Sequence, residues 1–169
     1  MSEKRIFFAL WPNDPQREQL QNTISPIVQA IEGTVVKRSN WHVTLAFVGE
    51  YPERLISELQ MAAAAIAFEP FRSSFDKAKY WTQAKVAVLT PTSISPELER
   101  LVGALNTVMS DAGLVVPTRA YRPHITIARR ARPFETRRLA QPARLEWSGV
   151  ELVESVSAPG GSSYHPLKQ

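Results

Sequence analysis

A short phrase occurs twice in this chain, and it restricts the possible fold more than any other stretch. It reads Trp41-His42-Val43-Thr44-Leu45-Ala46-Phe47 in the first half and Pro123-His124-Ile125-Thr126-Ile127-Ala128-Arg129 in the second. Each copy is a histidine, an aliphatic residue, a threonine and another aliphatic residue. Aliphatic residues alternating with polar ones describe a half-buried strand. Successive strand side chains point to opposite faces, so Val43 and Leu45 are expected in the core while His42 and Thr44 share the other face. By the same rule Ile125 and Ile127 point inward, and His124 and Thr126 outward. Each copy presents an imidazole and a hydroxyl together on a rigid support, a donor pair suited to a phosphate. If the two strands face each other, the imidazoles can flank one phosphorus atom. One then takes a proton from water while the other protonates the leaving oxygen, and a pKa near neutrality suits imidazole to both jobs.

A lone His-x-Thr on a strand is most often a hydrogen-bonded structural histidine. Two copies at equivalent places of a repeat are a different matter, and the surrounding sequence makes them equivalent. In each half a buried strand ends in proline (Ile6–Pro12; Val86–Pro91), a second proline opens a helix (Pro15; Pro96), and a His-x-Thr strand follows. From helix proline to histidine is 27 residues in the first half and 28 in the second. This predicts a duplicated β-α-β unit with two similar lobes about a pseudo-twofold axis, an arrangement that brings the phrases together across a central cleft.

Elsewhere the pattern predicts the following. Lys4–Leu10 is a buried strand, and Asn13 caps a helix that Pro26 kinks or shortens and Gly33 ends. Thr34–Lys37 is a short strand, and Gly49–Pro52 a turn into a second helix, which Glu69-Pro70 breaks. Phe71–Trp81 is a strand with Phe71, Phe75, Lys77 and Lys79 on one face, and Lys85–Leu89 is a buried strand. Ser95 caps a third helix with Leu98, Leu101, Val102, Leu105, Val108 and Met109 inward, stopped by Gly113. Leu114–Val116 is a short strand, Arg130–Pro142 a loop, Leu145–Val156 a strand region with a bulge at Gly149, and Tyr164–Leu167 a last strand.

Composition narrows the class. At 169 residues, 44% hydrophobic and 21% charged, the chain suits one globular domain. Cysteine is absent, which excludes disulfides and thiolate metal sites. The first apolar run is too short for a signal core or a membrane span, so a cytoplasmic protein without membrane contact is expected, a monomer by default. The formal charge of +4 lies wholly in the second half, with eleven basic and seven acidic residues over 85–169 against nine of each over 1–84. Within it Arg119, Arg122, Arg129, Arg130, Arg132, Arg137, Arg138 and Arg144 accompany a single acid, Glu135. Arginine clustering favours phosphate or nucleic acid as partner. Most of these arginines taken singly read as a solvated basic loop; Arg129 differs because it closes the second phrase.

The paired His-x-Thr-x motifs resemble the signature of the two-histidine phosphoesterase superfamily. Arg5-Ile6-Phe7-Phe8-Ala9-Leu10, Trp41 through Gly49, Arg122 through Arg129 and the tail Glu154-Ser155 to Tyr164-His165-Pro166-Leu167 resemble, in order, the RNA 2′,3′-cyclic phosphodiesterases, also called 2′-5′ RNA ligases. The resemblance spans essentially the whole chain. It implies one α+β domain over 1–169, bilobal, with two pseudo-symmetric lobes whose antiparallel sheets line a central cleft and whose helices lie outside. It also implies cofactor- and metal-independent hydrolysis of RNA 2′,3′-cyclic phosphate ends to 2′-phosphate, with 2′-5′ ligation as the same site run backwards. His42 is then the general acid and His124 the general base. Thr44 and Thr126 hold phosphate oxygens, and Arg129 steadies developing charge. Phe47 is a candidate for contact with a base or ribose, and His165 is expected to have no catalytic role.

Three other readings compete. A zinc hydrolase needs three or four suitably spaced ligands, and only His165 is left over. A non-catalytic RNA-binding module would use the arginines with Trp41, Phe47, Trp81 or Tyr121 as stacking surfaces, but it leaves two repeated imidazoles unexplained. A third reading keeps the enzyme and changes the substrate to a small cyclic phosphate, such as that of ADP-ribose or a cyclic nucleotide.

Overall fold

The computed structural model describes residues 2–168. Among these residues nine strands and three α-helices run in the order β1 Glu3–Leu10, α1 Asp14–Gln29, β2 Thr34–Val35, β3 Val43–Pro52, α2 Ile56–Ala64, β4 Phe71–Trp81, β5 Val86–Thr90, α3 Pro96–Asp111, β6 Ile125–Arg129, β7 Arg137–Trp147, β8 Glu151–Ala158 and β9 Gly161–Pro166. They form a four-stranded sheet ordered β3-β1-β8-β9 and a five-stranded sheet ordered β2-β6-β5-β4-β7. Every pairing is antiparallel. The orders correspond strand for strand as β3-β1-β8-β9 and β6-β5-β4-β7, with β2 added beside β6. The chain is therefore an α+β fold with antiparallel sheets, as the family resemblance implies.

Each sheet turns one face to a shared core. Ile6, Phe8, Leu10, Val43, Leu45 and Leu152 come from the first sheet, and Phe75, Leu89, Ile125, Ile127, Leu145 and Trp147 from the second. The helices cover this core by crossing over. Helix α1 leaves the first sheet and packs on β6 and β7 of the second, where Gln19 Nε2 donates to Arg144 O at 3.1 Å. Helix α3 leaves the second sheet and packs on β3 of the first. An apolar stripe fits both roles: Leu20, Ile24 and Ile27 in α1, and Leu98, Leu101, Val102, Leu105 and Met109 in α3, are buried. Asn13 and Gln16 make a reciprocal capping box, and Ser95 Oγ accepts from Leu98 N.

Several local expectations are corrected by long-range pairing. Helix α1 runs through Pro26 to an Ala30 cap, ahead of Gly33. A Cβ at Gly33 would lie 3.1 Å from Ala131 Cα and 3.2 Å from Arg129 O, so glycine there permits close approach to the end of β6. Gly49–Pro52 is not a turn, because β3 continues through it opposite Glu3–Ile6, with Gly49 at φ +86°. Helix α2 ends at Ala64, before Glu69-Pro70. In β4 a register shift after Phe75 turns Lys77 and Lys79 away from the face of Phe71 and Phe75, leaving Ala78 in the core. Leu114–Val116 forms no strand; Val115 is 91% exposed between partly buried neighbours. The basic loop is shorter than expected, since Arg137 already pairs with Ala78; Pro142 falls in the irregular stretch of this edge strand, where no ladder donor is needed. Leu145–Val156 divides at Ser148-Gly149-Val150 into β7 and β8, which lie in different sheets.

Phe75 is fully buried where β4 meets the core. We expect Phe75→Ala to lower unfolding free energy by about 3–5 kcal/mol in denaturant titration with an unchanged slope; a loss below about 1 kcal/mol would contradict this placement.

Candidate active site

The two phrases share a device that strict alternation hides. Opposite β1, Phe8 pairs with Ala46 and Ala9 with Thr44, so Leu45 is an extra residue in β3. Opposite β5, Ala87 pairs with Ala128 and Val88 with Thr126, so Ile127 is the extra residue in β6. Each strand thus carries a β-bulge at the same place of its phrase. Both residues of each bulge are buried: Leu45 3% and Ala46 6% exposed, Ile127 0% and Ala128 1%. The next residue is thrown to the opposite face. Phe47 and Arg129, which simple alternation would bury, therefore stand on the same face as His42–Thr44 and His124–Thr126.

That face of the first sheet has a small apolar floor of Phe7, Ala9 and Val153, flanked by Trp11 and Tyr164. His42 sits just before β3 and is packed on three sides. Its ring centroid lies 5.0 Å from Phe7, 5.0 Å from Tyr164 (edge-on) and 5.9 Å from Trp11 (stacked). His124 sits just before β6, 4.4 Å from the ring of Trp81, over which Arg122 stacks at 4.3 Å. The two supports are built differently. Phe7 faces Val153 in the first sheet, whereas Val86 faces Trp81 in the second. The large ring comes from one strand in one case and from its neighbour in the other.

Hydrogen bonds settle the tautomers. His42 Nδ1 lies 2.7 Å from Asn40 O, and His124 Nδ1 lies 3.0 Å from Arg122 O, in each case the carbonyl two residues back. A carbonyl only accepts, so both Nδ1 atoms carry the proton and each neutral ring keeps a lone pair on Nε2. For His42 that lone pair is met by the Thr44 hydroxyl at 3.0 Å. Burial pushes the His42 pKa down to about 4 against its Asn40 hydrogen bond, with His124, Arg129 and Arg17 adding repulsion. Burial also lowers His124, where Arg122 and Arg129 repel the protonated form. In the free protein both imidazoles are neutral at pH 7.

Contacts between the sheets bring the phrases together. Arg129 Nη2 donates to the Tyr164 hydroxyl at 3.2 Å, and the Tyr121 hydroxyl donates to Thr44 O at 2.8 Å. Burial raises the Tyr121 pKa. Phe47 is 65% exposed beside Phe7, with ring centroids 6.0 Å apart. Thr126 lies across from Val88 on the cleft face. His165 is exposed, bonded to Ser163 at 2.9 Å, and alternates away from Tyr164. Tyr164, Trp11, Phe7 and Arg17 escaped the sequence reading. Phe7 and Trp11 were legible in principle, since they alternate with Ile6, Phe8 and Leu10 along β1 and the residue that follows it. Tyr164 was not, because its approach to His42 depends on β9 joining β8. Among the described residues no three His, Asp or Glu side chains gather where they could hold a metal ion. No helix among them is long and apolar enough to cross a membrane.

Residues 10–87 match the family model for LigT-like phosphoesterases. Over its full length the chain is 30% identical to an RNA 2′,3′-cyclic phosphodiesterase of Escherichia coli, covering 97% of that protein. It is 24% identical to one of Archaeoglobus fulgidus, over 97% of this chain and 98% of the relative. The crystal structure of E. coli LigT complexed with 3′-AMP superposes with a TM-score of 0.88 at 27% identity, covering 99% of this chain and 97% of that one. The same sheets, carrying the two phrases along a full-length match, make this chain a member of the LigT-like phosphoesterase family.

Proposed function

We propose that this protein hydrolyses the 2′,3′-cyclic phosphate at the end of an RNA strand to a 2′-phosphate, by acid–base catalysis between His42 and His124. The observation that carries this reading is the repeated bulge, which adds Phe47 in one strand and Arg129 in the other to the face that already carries an imidazole and a hydroxyl. Family membership supports the reaction class, and the complex of E. coli LigT with 3′-AMP supports a nucleotide in the cleft. In this reading residues 1–169 are one catalytic domain of two repeated lobes.

The chemistry follows from the proton inventory. His124 Nε2 takes a proton from water, and the oxygen attacks phosphorus. The bond from phosphorus to O3′ breaks, and O3′ receives the proton on His42 Nε2, leaving a 3′-hydroxyl and a 2′-phosphate. Thr44 and Thr126 donate to the nonbridging oxygens, and Arg129 balances charge growing on them. Phe47, exposed at the rim, offers a ring for the ribose or base. Attack by a 5′-hydroxyl in place of water would give a 2′-5′ link through the same site.

His42 must be protonated to act as acid, although the free protein holds it neutral. The substrate supplies the missing charge: an anionic phosphodiester set between the imidazoles raises the His42 pKa and lets Nε2 take a proton, freeing the Thr44 hydroxyl for the phosphate. Both histidines titrate below 6.5 in the free protein. The profile of kcat/KM, which reports free enzyme, is therefore expected to be a bell with its optimum on the acid side of 6.5. The alkaline limb of kcat, which reports the complex, should lie at higher pH; coincident limbs would refute charge supplied by substrate.

His42→Ala and His124→Ala should each lower the rate at least about a hundredfold while leaving circular dichroism and melting cooperative. Full activity in either variant would remove the mechanism. The deciding experiment compares products from a cyclic-phosphate-ended oligoribonucleotide, mononucleoside 2′,3′-cyclic phosphates and ADP-ribose cyclic phosphate. A 2′-phosphate formed fastest on the oligonucleotide supports the RNA reading, and a preference for ADP-ribose cyclic phosphate would replace it.

A further inference from the structure

Arg17 is used by nothing in the mechanism above, yet it occupies an expensive place. It continues the inward stripe of α1 with Leu20, Ile24 and Ile27 and is only 6% exposed. Asp14, one turn back, is the carboxylate whose charge reaches it, but the two form no ion pair. A guanidinium without a carboxylate partner is unfavourable in a core. Packing alone would be served by leucine.

Its contacts converge on one imidazole. Nη1 donates to Arg38 O and, at 3.0 Å, to Trp41 O, so a single nitrogen ties the start of the 3-10 turn Arg38–Asn40 to the residue after it. No side chain caps that turn. Its last carbonyl, Asn40 O, is the acceptor 2.7 Å from His42 Nδ1. The guanidinium also lies 4.8 Å from the centroid of Trp11, which stacks on His42 at an interplanar angle of 21°.

We infer that Arg17 is a positioning residue for His42: one buried guanidinium holds both the carbonyl turn and the indole ring between which that imidazole is fixed. The inference rests on the reading of His42 as proton donor. Arg17 acts from behind the ring, reaching the cleft face only through Trp11, so it bears on turnover more than on substrate capture. Its charge has a second effect. The charged and titratable groups around His42 are Arg17 from α1, Arg38 from the turn, His124 and Arg129 from the second phrase, Tyr164 from β9, and Tyr121 behind Thr44. Arg17, His124 and Arg129 all disfavour a second proton on the ring. Once substrate has brought that proton in, the repulsion makes His42 a stronger acid toward the leaving oxygen.

The test combines NMR titration of the His42 ring with steady-state kinetics on a cyclic-phosphate-ended oligoribonucleotide, for wild type, Arg17→Met and Arg17→Lys. In Arg17→Met the His42 midpoint should depart from about 4: release of the Asn40 hydrogen bond lowers it, and loss of the Arg17 charge, the smallest of the repulsions on the ring, raises it less. Its kcat should fall by about tenfold to a hundredfold with KM within about twofold. Arg17→Lys keeps the charge but cannot bridge two carbonyls and stack at once. It should hold the midpoint near the wild-type value while recovering only part of kcat. An unchanged His42 midpoint in Arg17→Met, or a rise in KM matching the fall in kcat, overturns the inference. Should Arg17→Met fail to fold, Arg17→Lys decides alone: wild-type kcat in it overturns the inference, and a reduced kcat at constant KM upholds it. The titration reads the link between Arg17 and His42 directly. A midpoint shift alongside a fully active His42→Ala would therefore fault the catalytic reading and leave the link standing.

Discussion

One extra residue in each of two strands sets the geometry on which the rest of the site depends. In a regular strand the phrase would send its second, fourth and sixth residues outward and bury its third, fifth and seventh. The bulges at Leu45–Ala46 and Ile127–Ala128 bury two consecutive residues and reverse the alternation after them. Alanine suits the second bulge position because a larger chain beside Leu45 or Ile127 would have to enter an already filled core. The same shift then exposes a phenylalanine in one strand and an arginine in the other. Symmetric backbone thus carries asymmetric chemistry: histidine and threonine are common to both halves, while Phe47 offers a ring and Arg129 a charge.

Electrostatics sharpen that asymmetry. His42 is walled by three rings, Phe7, Trp11 and Tyr164, whereas His124 rests mainly on Trp81; arginine charge faces both, from Arg17 and Arg129 at His42 and from Arg122 and Arg129 at His124. Both rings donate from Nδ1 to the carbonyl two residues back, which leaves the lone pair of each on Nε2. A ring so desolvated does not hold a second proton without an anion nearby. A phosphodiester is such an anion, and in the proposed reaction its arrival is what protonates His42.

The helices explain why two strands so far apart in sequence stay in register across a cleft. Each leaves its own sheet and covers the core against the other, with α1 on β6 and β7 and α3 on β3. The two halves therefore share a single continuous core, which includes Phe8 and Leu10 from one sheet and Phe75 and Leu89 from the other. Movement of one phrase relative to the other would open that core.

The helix stripes and caps, and the outward placement of His42, Thr44, His124 and Thr126, were legible in the residues, because each follows from periodicity or local hydrogen bonding. The fold class came with the family resemblance, carried by motifs that recur in order. What escaped depended on partners distant in the chain. The parity of Phe47 and Arg129 is set by bulges that exist only against β1 and β5. Tyr164 meets His42 only because β9 joins β8, and the break at Ser148–Val150 is invisible until β7 and β8 go to different sheets. Arg17 reads as one more surface charge until α1 is docked. Local sequence determined which faces the strands present; register and long-range packing decided which side chains share them, since a strand's alternation is its own but its bulges belong to the pair.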